Sequence, residues 1–201
     1  IDIDALPNQF VLKSTHDSGG IVICKDKSSF DLEAAKAKLS ASLKRDYSKI
    51  AREWPYQNVP RRIIAEEYIS ELGSDDLLDY KMFSFHGEPK LTVVCSDRFS
   101  KTGTRMNFYD INWAPMGIHF GHYPPLPTEF PKPATYEEMK RLTVELSKDC
   151  PFLRVDFYEI KGRLFIGELT FFPGAGLETF RPMSKDYELG EWLHLETVHR
   201  S

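Results

Sequence analysis

The stretch from Phe152 to Gly176, FLRVDFYEIKGRLFIGELTFFPGAG, constrains the fold of this chain more than any other. Leu153, Val155 and Phe157 alternate with Arg154, Asp156 and Tyr158, and after Lys161-Gly162 the residues Leu164, Ile166 and Glu168 alternate with Phe165, Gly167 and Leu169. Period-two alternation on both sides of a glycine predicts a β-hairpin. A two-residue loop at Lys161 and Gly162 would set Asp156 against Gly167 and put the two acids on opposite faces. A three-residue loop centred on Gly162 sets Asp156 against Glu168 and Arg154 against Thr170. Carboxylates paired in that way lie about 5 Å apart and repel unless a cation lies between them. Mg²⁺ suits such a pair, because it takes a few carboxylate oxygens and keeps positions for phosphate. The alternative is an amphipathic hairpin with solvated acids.

The rest of the composition narrows the class. With 41% hydrophobic and 28% charged residues in 201, the chain reads as ordinary globular protein, long enough for one large domain or two lobes. A formal charge of −4 provides no basic surplus for general nucleic-acid binding. Cys24, Cys95 and Cys150 are odd in number and lack metal-ligand spacing, which points to a reducing cytoplasm. No apolar run approaches the ~20 residues of a membrane helix. Ile1 in place of Met suggests a fragment lacking an N-terminal segment.

In chain order, strands are expected over 10–13 and 21–25, separated by STHDSGG, a Gly-Gly flap able to approach an anion or simply to close a turn. A scaffold helix follows, with Asp31 as N-cap and Leu32, Ala35, Leu39 and Leu43 on one face. An irregular stretch over 47–62 leads to a strand over 63–69. A second hairpin, 79–85 with 89–96, turns at His86-Gly87. SDRFSKTGTRMNFYD then reads as a basic loop, in which Arg98 and Arg105 could meet an anionic substrate or phosphate, or stay solvated. The Pro-rich segment 113–133, with His119 and His122, reads as a long connection. Over 135–150 Thr135 and Glu138 form a capping box, and Met139, Leu142 and Leu146 are the expected buried stripe. A closing helix is expected from Ser184 to about Leu195.

Taken together, FVLKSTHDSGG, RIIAEEYI, DYKMFSFHGEPK and RVDFYEIKGRLFIGELTFFPGAG resemble the TupA-like branch of the ATP-grasp enzymes, a group associated with teichuronopeptide and other cell-surface polysaccharide synthesis. The resemblance implies an α+β fold in which two lobes with antiparallel sheets enclose a nucleotide. It divides the chain into a small lobe over 1–69 and a large, metal-binding lobe over 70–201, with no counterpart of the usual N-terminal substrate lobe. By resemblance Lys13 contacts the α- and β-phosphates of ATP, and His16, Ser18, Gly19 and Gly20 form the flap over them. Glu66, Glu67, Tyr68 and Ile69 make the adenine hinge, Asp79 or a near neighbour takes the ribose position, and Lys81 lies close to the nucleotide. Asp156 and Glu168 match the Mg²⁺ carboxylates, and Arg154 the arginine that steadies an acylphosphate. Thr170 stands where many of these enzymes have Asn as a further metal ligand.

The activity this implies is ATP-dependent joining of a carboxylate to an amine, on small molecules or polymer precursors. Glycosyl or phosphoryl transfer to a polysaccharide precursor is a competing reading, as is a non-catalytic nucleotide-binding module. Consumption of a nucleotide sugar with ATP left intact would mark the first, and ATP binding without ADP release the second.

Overall fold

Residues 1–69, 77–96, 103–120 and 129–195 are described by the structure, a computed structural model. The chain divides into two units, Ile1–Ile69 and Ser70–Ser201.

In the first unit β1 (Phe10–Ser14) is central, hydrogen-bonded to β2 (Ile21–Cys24) on one side and β3 (Ile63–Glu67) on the other, both antiparallel. Alternation along FVLKS buries Phe10, Leu12 and Ser14 and turns Val11 and Lys13 to the opposite face. Phe10, Leu12 and Cys24 form a core with Leu39 of α1 (Leu32–Lys44). Asp31 caps that helix by accepting from the Ala34 amide at 2.9 Å. Its buried face is Ala35, Leu39 and Ser42, while Leu32 is exposed. The region expected to be irregular contains a short helix, α2 (Tyr47–Ala51), and a 3-10 turn over Trp54–Tyr56. The third strand stops at Glu67 rather than reaching Ile69.

In the second unit β4 (Asp79–Phe85), β5 (Glu88–Ser96), β6 (Arg105–Asp110), β8 (Phe152–Ile160) and β9 (Arg163–Thr170) form an antiparallel sheet in the order β6-β5-β4-β8-β9. A separate two-residue ladder joins β7 (His119–Phe120) to β10 (Phe180–Arg181). The hairpin turn His86-Gly87 has positive φ at both residues, 51° and 80°, the geometry that matches the twist of paired strands. On one face lies α3 (Tyr136–Ser147), whose Tyr136 and Met139 pack with Tyr80, Met82, Leu153, Val155 and Phe157. On the other, Phe83, Leu91, Val93, Cys95 and Phe108 meet Leu189 of α4 (Met183–Gly190).

Four expectations are corrected here. Arg105 opens β6, paired with Ser96, so the basic segment is a strand from that point rather than a loop. Thr135 makes no capping box. Its amide and hydroxyl both donate to Glu159 Oε2, at 2.9 and 2.5 Å, so a carboxylate on β8 takes the amide that Glu138 would have accepted and turns the hydroxyl from acceptor to donor. The buried stripe of α3 is Tyr136, Met139, Thr143 and Ser147, with Leu146 exposed. Small hydroxyl residues let the helix approach the sheet closely. Thr143 and Ser147 donate to the carbonyls four residues back, and Ser147 also bonds Ser84 at 2.7 Å. The last helix begins at Met183 and ends at Gly190, before the expected Leu195.

Candidate functional site

The hairpin β8–β9 turns on two residues, Lys161 and Gly162, with φ of 51° and 72°. That turn alone would set Asp156 opposite Gly167. A register shift between Asp156 and Phe157 intervenes: Phe157 pairs with Ile166, Asp156 pairs with Glu168, and Gly167 is the extra residue. The expected pairing of Asp156 with Glu168 and of Arg154 with Thr170 is therefore present, reached through a bulge and not through a three-residue loop. Glycine is required at the bulge, since a Cβ there would lie 2.5 Å from the Tyr158 ring. A glycine inside a strand pattern was the available signal.

Strand β4 brings a further pair of charges to the same face. Lys81 is directly across from Asp156, and Asp79 lies two residues before Lys81. The ammonium of Lys81 bridges Asp79 Oδ2, at 2.7 Å, and Asp156 Oδ2. Arg154 grips Asp156 in a fork, Nε to Oδ1 at 2.7 Å and Nη2 to Oδ2 at 2.8 Å, and its Nη2 is 3.6 Å from Glu168 Oε1. Thr170 donates to Glu168 Oε1 at 2.7 Å. Burial is graded across the group. Asp79 and Asp156 are almost fully enclosed, whereas the Glu168 side chain is 49% exposed. Burial works against both cations, but the carboxylates outweigh it: Asp79 and Asp156 hold the Lys81 ammonium above its ordinary value, and Asp156 does the same for Arg154.

The donor set fits a magnesium ion that is completed by a ligand. Among the described residues no three or more His, Cys, Asp or Glu side chains are arranged to hold a metal ion between them, so no all-protein cage exists there. Asp156 and Glu168, with the Thr170 hydroxyl beside them, supply two carboxylates and a neutral oxygen. That is the kind of partial shell Mg²⁺ uses when phosphate oxygens and water fill its remaining positions.

In the first unit, the register places Val11, Lys13, Ile21, Ile23, Ile64 and Glu66 on one face of the sheet. Ile21, Ile23 and Ile64 are 39%, 37% and 41% exposed, an open floor of β-branched side chains crossed by the Lys13–Glu66 ion pair. Glu67 points to the opposite face, and Tyr68 and Ile69 follow the strand end half-buried.

The Gly-rich flap is tied from behind. The Gly20 carbonyl accepts from the Ser14 amide at 2.9 Å, and a Cβ on Gly20 would lie 2.0 Å from Ser14 Oγ and 2.2 Å from Ser42 Oγ. Asp17, enclosed by its surroundings, accepts from Ser42 and Arg45 at the end of α1. His16 is buried, with Nε2 3.3 Å from the Arg45 carbonyl, while Ser18 and Gly19 are exposed. The sequence reading did not foresee the Asp17–Ser42–Arg45 anchor, which turns a scaffold helix into the support of the flap. Arg98 and His122 lie outside the described residues. Arg105 stands at the start of the edge strand β6.

Three comparisons bear on this geometry. The sequence model of the family TupA-like ATPgrasp matches residues 1–194. Curated proteins provide no match. Among solved structures, D-alanine–D-alanine ligase from Bacillus anthracis complexed with ATP superposes with a TM-score of 0.50 at 16% identity, covering 94% of this chain and 50% of the ligase. A second structure of D-alanine–D-alanine ligase from Bacillus anthracis has a TM-score of 0.45 at 15% identity, covering 91% of this chain and 49% of the other. The chain thus spans about half the length of these ligases. Among the described residues no helix is long and apolar enough to cross a membrane. An α+β chain of antiparallel sheets, matched by that family's model over nearly all its length, belongs to the TupA-like ATP-grasp family.

Proposed function

We propose that the chain is the ATP- and Mg²⁺-binding part of a carboxylate–amine ligase that works through an acylphosphate, acting on a small molecule or a precursor of a cell-surface polysaccharide or teichuronopeptide. The observation that carries the reading is the cross-strand pair Asp156–Glu168 with Arg154 in contact with both. When bound, Mg²⁺ would neutralise charge on the nucleotide phosphates during transfer.

The chain's own residues do the rest. Asp156, Glu168 and the Thr170 hydroxyl would hold the ion. Arg154 projects a guanidinium at the same place, suited to steadying a transferred phosphoryl group by charge and by forked hydrogen bonds. Lys13 offers its ammonium beside the exposed isoleucine floor, which suits a purine and its phosphates, with Glu66 and the backbone to Ile69 as the adenine-reading edge. Ser18 and Gly19 would close over the phosphates, with Gly19 already at a φ of 92° that favours glycine. The substrate carboxylate would attack the γ-phosphate, and the amine would then displace phosphate from the acylphosphate to give an amide. No covalent nucleophile from the protein is needed, so positioning carries the catalysis. Use of ATP and cysteines that form no disulfide, Cys24, Cys95 and Cys150, favour a cytoplasmic setting.

The test is ADP release by the chain with ATP, Mg²⁺ and a panel of carboxylates and amines, with products weighed by mass spectrometry. An amide formed in step with ADP supports ligation. Transfer of sugar from a nucleotide sugar with ATP intact overturns it.

A further inference from the structure

Asp156 is held from two sides by cations of its own chain. Arg154 occupies both of its oxygens, and Lys81 reaches Oδ2 from β4 while its ammonium also takes Asp79 Oδ2 at 2.7 Å. The side chains of Asp79, Lys81 and Asp156 are 1%, 13% and 2% exposed, so solvent and salt screen these charges weakly. The family resemblance put Asp79 at the ribose. Its enclosure and its ion pair with Lys81 suit it instead to seating that lysine.

Counting Glu168, the group holds three carboxylates and two cations, a sum of −1. A bare divalent ion would carry that sum to +1 and would compete with the Lys81 ammonium for the same carboxylate oxygen. A divalent ion carried by a polyphosphate brings negative charge with it and offsets both costs. We infer that Lys81, seated by Asp79, is a built-in counter-ion to Asp156 that turns away bare divalent cations and admits them only together with a polyphosphate. The inference rests on the reading of Asp156 and Glu168 as metal carboxylates. It makes Lys81 a specificity-determining residue and Asp79 a positioning residue.

The experiment is Mn²⁺ titration of the full chain followed by electron paramagnetic resonance, first with the metal alone and then with a non-hydrolysable ATP analogue. Wild type is expected to bind Mn²⁺ alone at least tenfold more weakly than with the analogue. Lys81→Met is expected to bind Mn²⁺ alone at least tenfold more tightly than wild type. Asp79→Asn with Lys81→Met, which keeps the sum at −1 and protects the fold, is expected to gain at least threefold. Lys81→Arg should stay like wild type. Both Met variants within twofold of wild type for Mn²⁺ alone, with the analogue still recruiting metal, would overturn the role of Lys81 and leave the ATP reading standing. Tight binding of Mn²⁺ alone to wild type would do the same. Mn²⁺ taken up by none of the proteins, with or without the analogue, would overturn both.

Discussion

Asp17 in the first unit and Asp156 in the second are both buried aspartates gripped by an arginine, and they differ in what lies beyond the grip. Asp17 is closed in by Ser42 and Arg45, and its Oδ1 has no hydrogen-bond partner among the described residues. Asp156 opens through Arg154 onto Glu168, half exposed, and Thr170. The first arrangement ties a loop to a helix. The second sets a gradient from enclosed to open charge, with the Glu168 side chain 49% exposed at its open end. An ion pair alone does not distinguish anchor from site; the neighbouring exposure does.

The sharpest way to break this contrast is to neutralise each acid in turn. If Asp156 holds the metal as proposed, Asp156→Asn should lower Mg²⁺-dependent ADP release by a hundredfold or more in protein that is still folded by circular dichroism, on top of the stability it costs by taking a partner from the enclosed Arg154 and Lys81. Asp17→Asn should cost stability without the hundredfold loss of release, about 2 kcal/mol in urea unfolding, the scale of hydrogen bonds to a charged group. Equal losses of stability with equal activities would erase the distinction.

The two glycines behind these sites should behave alike in stability and differently in binding. Gly20→Ala pushes against Ser14 and Ser42, and Gly167→Ala against Tyr158, so each should cost about 1–3 kcal/mol, as overpacking does. Calorimetry should find nucleotide binding weakened by the first, and Mn²⁺ recruitment by the nucleotide analogue weakened by the second. Lys13→Ala should weaken nucleotide binding by about 1–3 kcal/mol, and an unchanged affinity would remove Lys13 from the nucleotide.

The smallest effect concerns pH. Lys81 has a raised folded-state value, so the stability it contributes is fully present below its ordinary value of 10.5 and is lost as pH rises through the raised one. The gap in melting temperature between wild type and Lys81→Met should therefore be constant below pH 10.5 and shrink as pH rises above it, and a gap that already shrinks between pH 8 and 10 would contradict the pairing.

How much was legible beforehand follows the range of each interaction. Alternation exposed β1, both hairpins and the facing of Arg154 with Asp156, because strand periodicity is local. The pairing of Asp156 with Glu168 was read correctly through the wrong loop, since Gly167 was counted as an ordinary strand residue. Asp17 and Arg45 stand 28 positions apart, and no local pattern links them. The place of Lys81 near the site came with the family motif, and Asp79 is its neighbour two residues back, but its other partner, Asp156, depends on a strand pairing 75 positions away. Thr135 shows the same limit, as a nearby capping partner lost to a carboxylate on another element.

The bulge at Gly167 has a consequence for anyone reshaping this protein. Because it absorbs the odd residue between the acids and the tip, the tip at Lys161-Gly162 can be lengthened or trimmed by one residue on each arm without turning Glu168 away from Asp156. A single-residue insertion on one arm has no such freedom. It would need a second irregularity to compensate, so tolerated length changes in this ribbon should come in matched rungs.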